Sequence, residues 1–111
     1  MARFLIKASY SVEGTKGLLK EGGTGRRNAV KHALEALGGS LETIYFAYGE
    51  DDAFIIADVP DSVSGVALSL AANATGTVKV TTIPLITVAE MDAACKKTVA
   101  FRPAGAAGAG V

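Results

Sequence analysis

The pattern that predicts a β-strand, apolar and polar residues in alternation, occurs four times along this chain. In the first instance Phe4 and Ile6 alternate with Arg3 and Lys7. The other three segments are rich in β-branched and aromatic residues, which favour strands. We predict strands over residues 3–10, 41–48, 53–59 and 77–85. The short polar segment between the second and third strands predicts a hairpin, and Pro84 indicates an edge strand or a strand end.

A different period, with apolar residues every three or four positions, predicts a helix that begins near Thr24. Its apolar stripe consists of Val30, Ala33, Leu34 and Leu37. Ser11 can cap an earlier helical segment, but the glycines between Val12 and Gly25 predict that any such helix is broken. Gly38-Gly39 is expected to end the helix in a left-handed conformation.

Two further helices are predicted from their capping residues. Asp61 can cap the first, which ends near Asn73 and Gly76. The apolar stripe expected to form its packing face is Val63, Val66, Ala67 and Leu70. Thr87 and Glu90 have the spacing of a capping box and predict a short helix over residues 88–97. The Ala- and Gly-rich segment from Phe101 onward has the composition of a flexible terminus.

The resulting order of elements, β-α-β-β-α-β plus a terminal helix, predicts an α+β fold of the ferredoxin-like, split βαβ type. Two crossovers then place both helices on one face of a four-stranded antiparallel sheet. Whichever side chains of the second and third strands face outward, they include large apolar groups, such as Phe54 and Ile56 or Ile55 and Val59. A second copy of the sheet is the simplest cover, so we expect a homodimer that forms an α/β barrel, or a higher oligomer of such dimers.

Composition narrows the class of protein. The chain has 111 residues, half of them apolar, with eleven basic and eleven acidic side chains. This is enough material for one domain, which we place at residues 1–97, followed by a tail over residues 98–111. A formal net charge of zero removes the broad electrostatic attraction expected of a protein that binds nucleic acid or a membrane surface. We therefore expect neither of these partners.

Few residues are suited to holding a metal or cofactor. Cys95 and His32 are each the only residue of their type, so we expect no disulfide, no zinc or iron–sulfur site and no cofactor. The first apolar run, Phe4 to Ile6, is too short for the hydrophobic segment of a signal peptide. No segment reaches the length of a membrane-spanning helix. Together these features predict a cytoplasmic protein.

Several short motifs together resemble the GYD-domain family, small bacterial proteins of undefined biochemical role. These motifs are the segment from Leu18 to Arg27, Leu37-Gly38-Gly39, the turn Gly49-Glu50-Asp51-Asp52 and Pro60-Asp61. The resemblance covers roughly residues 3–95. The signature turn of the family has the form Gly-x-Tyr-Asp, so Asp51 stands at its tyrosine position and Tyr48 precedes the glycine. The resemblance implies a dimeric fold of the α/β-barrel type and no established chemistry.

Three charged residues are candidate ligand-binding groups. Arg26 lies on the apolar stripe at the first turn of its helix, where its head either reaches water or binds an anion such as a carboxylate. Lys7 and Asp58 lie on neighbouring strands, and either pair with each other or line a polar spot that holds a small substrate. His32, by contrast, falls on the outward side of its helix and is expected at the surface.

No set of nucleophile, base and orienting residue is recognisable, so the favoured function is non-catalytic binding of a small molecule or partner by a homodimer. A cofactor-free enzyme of oxygenase or isomerase type, acting on an acidic or phenolic substrate, is the alternative by fold analogy. A subunit or stabiliser of a larger assembly is a third. A pocket containing Lys7, Arg26 or Asp58 would favour the first two, and a filled barrel the third.

Overall fold

A computed structural model describes residues 1–106 of the chain, which contain four strands and three helices in the predicted order. Their bounds are β1 Ala2–Tyr10, α1 Val12–Ala36, β2 Ser40–Phe46, β3 Ala53–Val59, α2 Ser62–Ala74, β4 Val78–Leu85 and α3 Val88–Cys95. The strands form one sheet in the order β2-β3-β1-β4, and every neighbouring pair is antiparallel. This architecture is α+β and compatible with the ferredoxin-like fold.

The core lies between the sheet and its two long helices. Strands β1 and β3 bury alternate side chains on the same face, among them Phe4, Ile6 and Ile55. Leu34 of α1 is fully buried against them, and Leu68 of α2 packs on the same cluster. Both helices therefore cover one face of the sheet, as the crossover argument predicts, and the opposite face is left without a helix.

Helix α1 is broken where the sequence predicts an interruption. Ser11 caps its start by accepting a hydrogen bond from the backbone of Gly14, and the backbone leaves the helical region at Gly22, with φ 74° and ψ 175°. Only glycine adopts this conformation without a steric penalty. After Gly22 the helix continues with its predicted stripe inward and ends before Gly38, which has φ 81°. The capping and termination predictions are confirmed.

The predicted packing face of α2 is wrong. Val63, Val66 and Leu70 are 77%, 57% and 66% exposed, whereas Gly65 and Leu68 face the sheet. The reason is a close approach: a Cβ on Gly65 would lie 3.0 Å from the Phe4 ring. The apolar side chains of α2 lie on several sides of the helix, so their period alone does not identify the packing face. Small residues decide it, because they allow the helix backbone to reach the sheet.

Smaller differences concern the ends of elements. Strand β2 ends at Phe46 rather than at residue 48. The backbone N–H of Ala47 donates to the carbonyl of Asp52 at 2.9 Å and closes the turn, in which Tyr48 is fully exposed. Helix α3 has the predicted capping box but ends at Cys95 instead of residue 97. Strand β4 lies at the sheet edge, as Pro84 indicates.

The C-terminal part of the chain projects from the domain. Helix α3 makes no extended contact with any other element that the structure describes, and its apolar residues Val88 and Met91 are exposed. Residues 98–106 contain no helix or strand, and the last part of the predicted tail, residues 107–111, lies outside the described residues. The described chain measures 60 × 30 × 23 Å as a result. No helix within residues 1–106 combines the length and hydropathy needed to cross a membrane.

Candidate functional site

A cavity of about 300 Å³ lies between α1, α2 and the covered face of the sheet. Its floor is formed by strand side chains that include Ile6, Ile55 and Val80. The helices contribute small side chains above this floor, namely Ala29, Ala33, Ala71 and Ala72. Because alanines at these positions do not fill the space between the helices and the sheet, the cavity is left open. Its volume is at the lower end of the range found for small-molecule pockets.

The polar groups of the cavity are few. Tyr10, Thr75 and Thr77 contribute hydroxyls, and Arg26 is the one charged side chain among the described residues that line it. Arg26 comes from the part of α1 after the break and lies on the same side of the helix as Val30 and Ala33, which also line the cavity. The predicted inward position of Arg26 is therefore observed.

The Arg26 guanidinium forms an ion pair without a well-aligned hydrogen bond at its Nε. Its Nε lies 3.2 Å from Oε1 of Glu21, and the two side chains are 33% and 36% exposed. This Nε is buried, yet it has no aligned hydrogen-bond acceptor among residues 1–106. A buried donor without an aligned acceptor is costly, so an oxygen atom in better alignment than Glu21 would stabilise the guanidinium.

Tyr10 is part of the same group of side chains. Burial raises the pKa of its hydroxyl, the positive charge of Arg26 lowers it, and the carboxylates of Glu21 and Asp52 raise it. The pKa is therefore raised overall, and the hydroxyl stays protonated and able to donate at neutral pH. The backbone N–H of Tyr10 donates to Oδ2 of Asp52 at 2.8 Å, which fixes the end of β1 beside the cavity.

Lys7 and Asp58, the other two candidates, lie on the opposite face of the sheet from Arg26. They share that face but do not pair with each other. Asp58 accepts two hydrogen bonds from Arg3, at 3.0 Å from Nε and 3.1 Å from Nη2. Lys7 lies 3.5 Å from Oδ2 of Asp51. The structure thus brings neither residue to the cavity, and each has an acidic or basic partner of its own.

The turn Gly49-Glu50-Asp51-Asp52 is held against β1. The Ser9 hydroxyl donates to the carbonyl of Glu50 at 2.9 Å and lies 3.4 Å from Oδ1 of Asp51. The backbone N–H of Asp52 donates to the carbonyl of Ala8 at 2.8 Å. Asp51 is therefore a structural ion-pair partner of Lys7 on the uncovered face, and it does not reach the cavity.

Glu21 is the residue of this site that the sequence analysis did not identify. It stands five residues before Arg26, and side chains five apart point about 140° away from each other on a continuous helix. The break at Gly22 brings them together. The glycines of this segment are therefore the sequence feature that points to the Glu21–Arg26 pair. They predict a break in the helix but not which side chains the break brings together.

The remaining chemistry-bearing residues lie outside the cavity. His32 is exposed, as predicted, and Cys95 is exposed on α3 with a free thiol. Within the described residues, no group of three His, Cys, Asp or Glu side chains is placed to hold a metal ion.

Comparison with known proteins gives one match. A family model described as the GYD domain matches residues 4–95, which is more than four fifths of the chain. The matched region includes all three helices, strands β2, β3 and β4, and β1 from residue 4 onward. No curated protein and no solved structure matches this chain.

Proposed function

This chain belongs to the GYD-domain family, and we propose from its cavity that it is a non-catalytic binding protein. Its ligand is a small molecule with an apolar body and one negatively charged group. The apolar body occupies the cavity between α1, α2 and the sheet, and the Arg26 guanidinium receives the charged group.

The observation that carries this proposal is the combination of an apolar cavity with a single cationic group at its edge. The walls are alanine, valine and isoleucine side chains, which bind an apolar body by removing it from water. Arg26 offers a planar set of donors that suits a carboxylate, and its buried Nε has no aligned acceptor. The Tyr10 and threonine hydroxyls add neutral hydrogen-bonding groups.

A binding role is favoured over catalysis by the chemistry of the lining. The described lining residues include no histidine, cysteine or carboxylate that would act as a base or nucleophile. Tyr10 beside Arg26 is the residue on which an acid-catalysed reaction of a phenolic or acidic substrate would depend. Conversion of a bound compound to a product would therefore favour the enzymatic alternative.

We further propose that two copies pair through the uncovered sheet face to form an α/β barrel. One row of residues crosses this face in register, in the order Thr43, Ile56, Leu5 and Ile83. The next row contains Tyr45 and Phe54 beside Lys7. The ion pairs Arg3–Asp58 and Lys7–Asp51 flank the apolar row, and Arg3 also contacts Glu42. Paired charges cost less to bury than unpaired ones, so these contacts reduce the desolvation penalty of pairing.

Isothermal titration with 1-octanol, octanoate and acetate tests the binding proposal. We expect octanol and octanoate to bind and acetate not to bind, because acetate lacks the apolar body. Ala33→Leu fills the cavity and should abolish binding of both eight-carbon compounds. Ala36→Leu, on an exposed position of the same helix, is the matched control and should leave binding unchanged.

The contribution of Arg26 is tested separately. Arg26→Lys keeps the charge and loses the two-pronged geometry, so it should weaken octanoate binding and leave octanol binding unchanged. If neither eight-carbon compound binds the wild-type protein, or if Ala33→Leu and Ala36→Leu bind them equally, the cavity is not the ligand site. Native mass spectrometry of the purified protein reports any retained ligand and the oligomeric state together.

We place this function in the cytoplasm. The exposed free thiol of Cys95 is in keeping with a reducing compartment.

A further inference from the structure

We propose that Glu21 is an internal counter-ion of Arg26 that the negatively charged group of the ligand replaces on binding. The inference rests on the proposed function, because it concerns the same cavity. It adds a competition: the protein's own carboxylate and the ligand's carboxylate bind the same guanidinium in turn.

The first support is the imperfect geometry of the Glu21–Arg26 pair. Its closest approach is 3.2 Å, without an aligned hydrogen bond at the buried Nε. The Arg3–Asp58 pair in the same molecule has two aligned hydrogen bonds, at 3.0 and 3.1 Å. An arginine and a carboxylate that are free to optimise their contact adopt the two-bond arrangement. Glu21 neutralises Arg26 but does not satisfy its donors, so a better-placed carboxylate can displace it.

The second support is the break in α1. Glu21 is the last residue before Gly22, and Arg26 lies in the helical segment that follows. The break separates the turn that carries Glu21 from the turns that hold Arg26 on the cavity, so the Glu21 side chain can leave by rotating about its own bonds. Glu21 is also 36% exposed, so its carboxylate can turn into water when it leaves the guanidinium. Departure of Glu21 therefore requires no disruption of the buried core.

The third support is the charge balance at the cavity edge. Tyr10 lies close enough to Arg26 and Glu21 for both charges to affect its hydroxyl, which places all three groups together. If a ligand carboxylate arrived while Glu21 remained, two negative charges would compete for one cation. Replacement avoids this repulsion and leaves Arg26 neutralised in both states, which lowers the cost of burying the ligand's charge.

The test compares wild type, Glu21→Gln and the control Glu13→Gln by isothermal titration with octanoate and 1-octanol. Glu13 is an exposed carboxylate in the first turn of α1, paired with Lys16. Removing the competing charge at Glu21 should raise octanoate affinity roughly two- to fivefold, the range expected when a partly exposed ion pair is lost. Octanol affinity should not change, and Glu13→Gln should match wild type for both compounds.

Equal or weaker octanoate binding by Glu21→Gln, with octanol binding intact, would overturn the counter-ion inference and leave the proposed function standing. Absence of octanol and octanoate binding by the wild type would instead overturn the proposed function. A second measurement does not depend on the variant. In the wild type, the side-chain carboxyl carbon resonance of Glu21 should shift when octanoate saturates the protein and should not shift with octanol. An unshifted resonance with octanoate would also overturn the inference.

Discussion

Among individual residues, local geometry and not formal charge decides which ionic pairs form. Lys7 and Asp58 lie on neighbouring strands and have opposite charge, so the sequence is compatible with a pair between them. The strand register instead places Arg3 directly opposite Asp58, and the two planar groups make paired hydrogen bonds. A lysine ammonium at the same place would provide a point charge without this matched geometry.

Loss of the Arg3–Asp58 pair should give a pH-dependent change in stability. The hydrogen bond from Arg3 holds the pKa of Asp58 below its ordinary value of 3.8. A lowered pKa stabilises the folded state above the ordinary value, and the contribution is lost as the pH falls through the folded pKa. Asp58→Asn should therefore destabilise the protein at neutral pH by roughly 0.5–1 kcal/mol.

Thermal unfolding at several pH values, at one protein concentration, measures this effect. The difference between wild type and Asp58→Asn should shrink as the pH falls below the ordinary aspartate pKa. Asp92→Asn, on the exposed helix α3, is the control and should show no such trend. A wild-type advantage that is the same at acid and neutral pH would argue against the ion pair as its source.

A glycine contact determines how closely α2 approaches the sheet. In Gly65→Ala the new Cβ would lie 3.0 and 3.1 Å from two carbon atoms of the Phe4 ring. The buried ring would have to shift, so we expect destabilisation of roughly 1 kcal/mol or more, despite the higher helix propensity of alanine. Gly17→Ala is the matched control, because nothing lies within 4 Å of its added Cβ. Chemical denaturation should show a gain or no change for Gly17→Ala and a loss for Gly65→Ala.

On the scale of secondary-structure elements, two departures from regular helix packing create the site. The break in α1 brings Glu21 to Arg26, and alanines on the facing sides of α1 and α2 leave the cavity between them. Helix α3 differs, since its capping box is complete but it makes no extended contact with another element that the structure describes. Local capping is therefore sufficient to define a helix, while packing decides whether that helix contributes to the domain.

Removal of the segment after residue 97 should leave the domain stable. Residues 98–106 contribute no helix or strand, and Val99 and Phe101 are exposed. Such a segment buries little apolar area to offset the entropy of ordering it. A chain truncated after Lys97 should have the melting temperature of the full chain within a few degrees, roughly the shift produced by 1 kcal/mol or less. A larger decrease in differential scanning calorimetry would show that the segment stabilises the fold.

For the whole molecule, the two faces of the sheet differ in what lies on them. One face carries the helices and the cavity. The other carries an apolar row centred on Ile56 and Leu5, flanked by ion pairs. A sheet face with these properties is suited to pairing with a second copy, which would bury about 1,200–2,000 Å² in total if the dimer is stable.

Analytical ultracentrifugation of wild type and Ile56→Glu tests the dimer. Wild type should sediment as a dimer, and Ile56→Glu should be a monomer, because each glutamate would be buried without a partner at the interface. Val66→Glu, on the exposed stripe of α2, should remain dimeric. A wild-type protein that is monomeric at every concentration would exclude this interface.

Local interactions are enough to predict the elements and most of their starts. The alternation in β1 and β3, the caps Ser11, Asp61 and Thr87, and the glycine break in α1 all act through hydrogen bonds and backbone conformations within a few residues. Together with the order of the elements, they were sufficient to predict the sheet and the covering of one of its faces. The inward position of Arg26 also follows from the sequence, because the helix period alone places it beside Val30.

Features that depend on residues far apart in the chain follow from the packing of the elements. The packing face of α2 depends on the Phe4 ring, and the partner of Asp58 depends on the register between β1 and β3. The Glu21–Arg26 pair depends on the angle that the chain takes at Gly22, and the cavity depends on alanines of two helices facing each other across the sheet. Each of these features depends on how the elements pack together. A single apolar period is compatible with more than one packing arrangement.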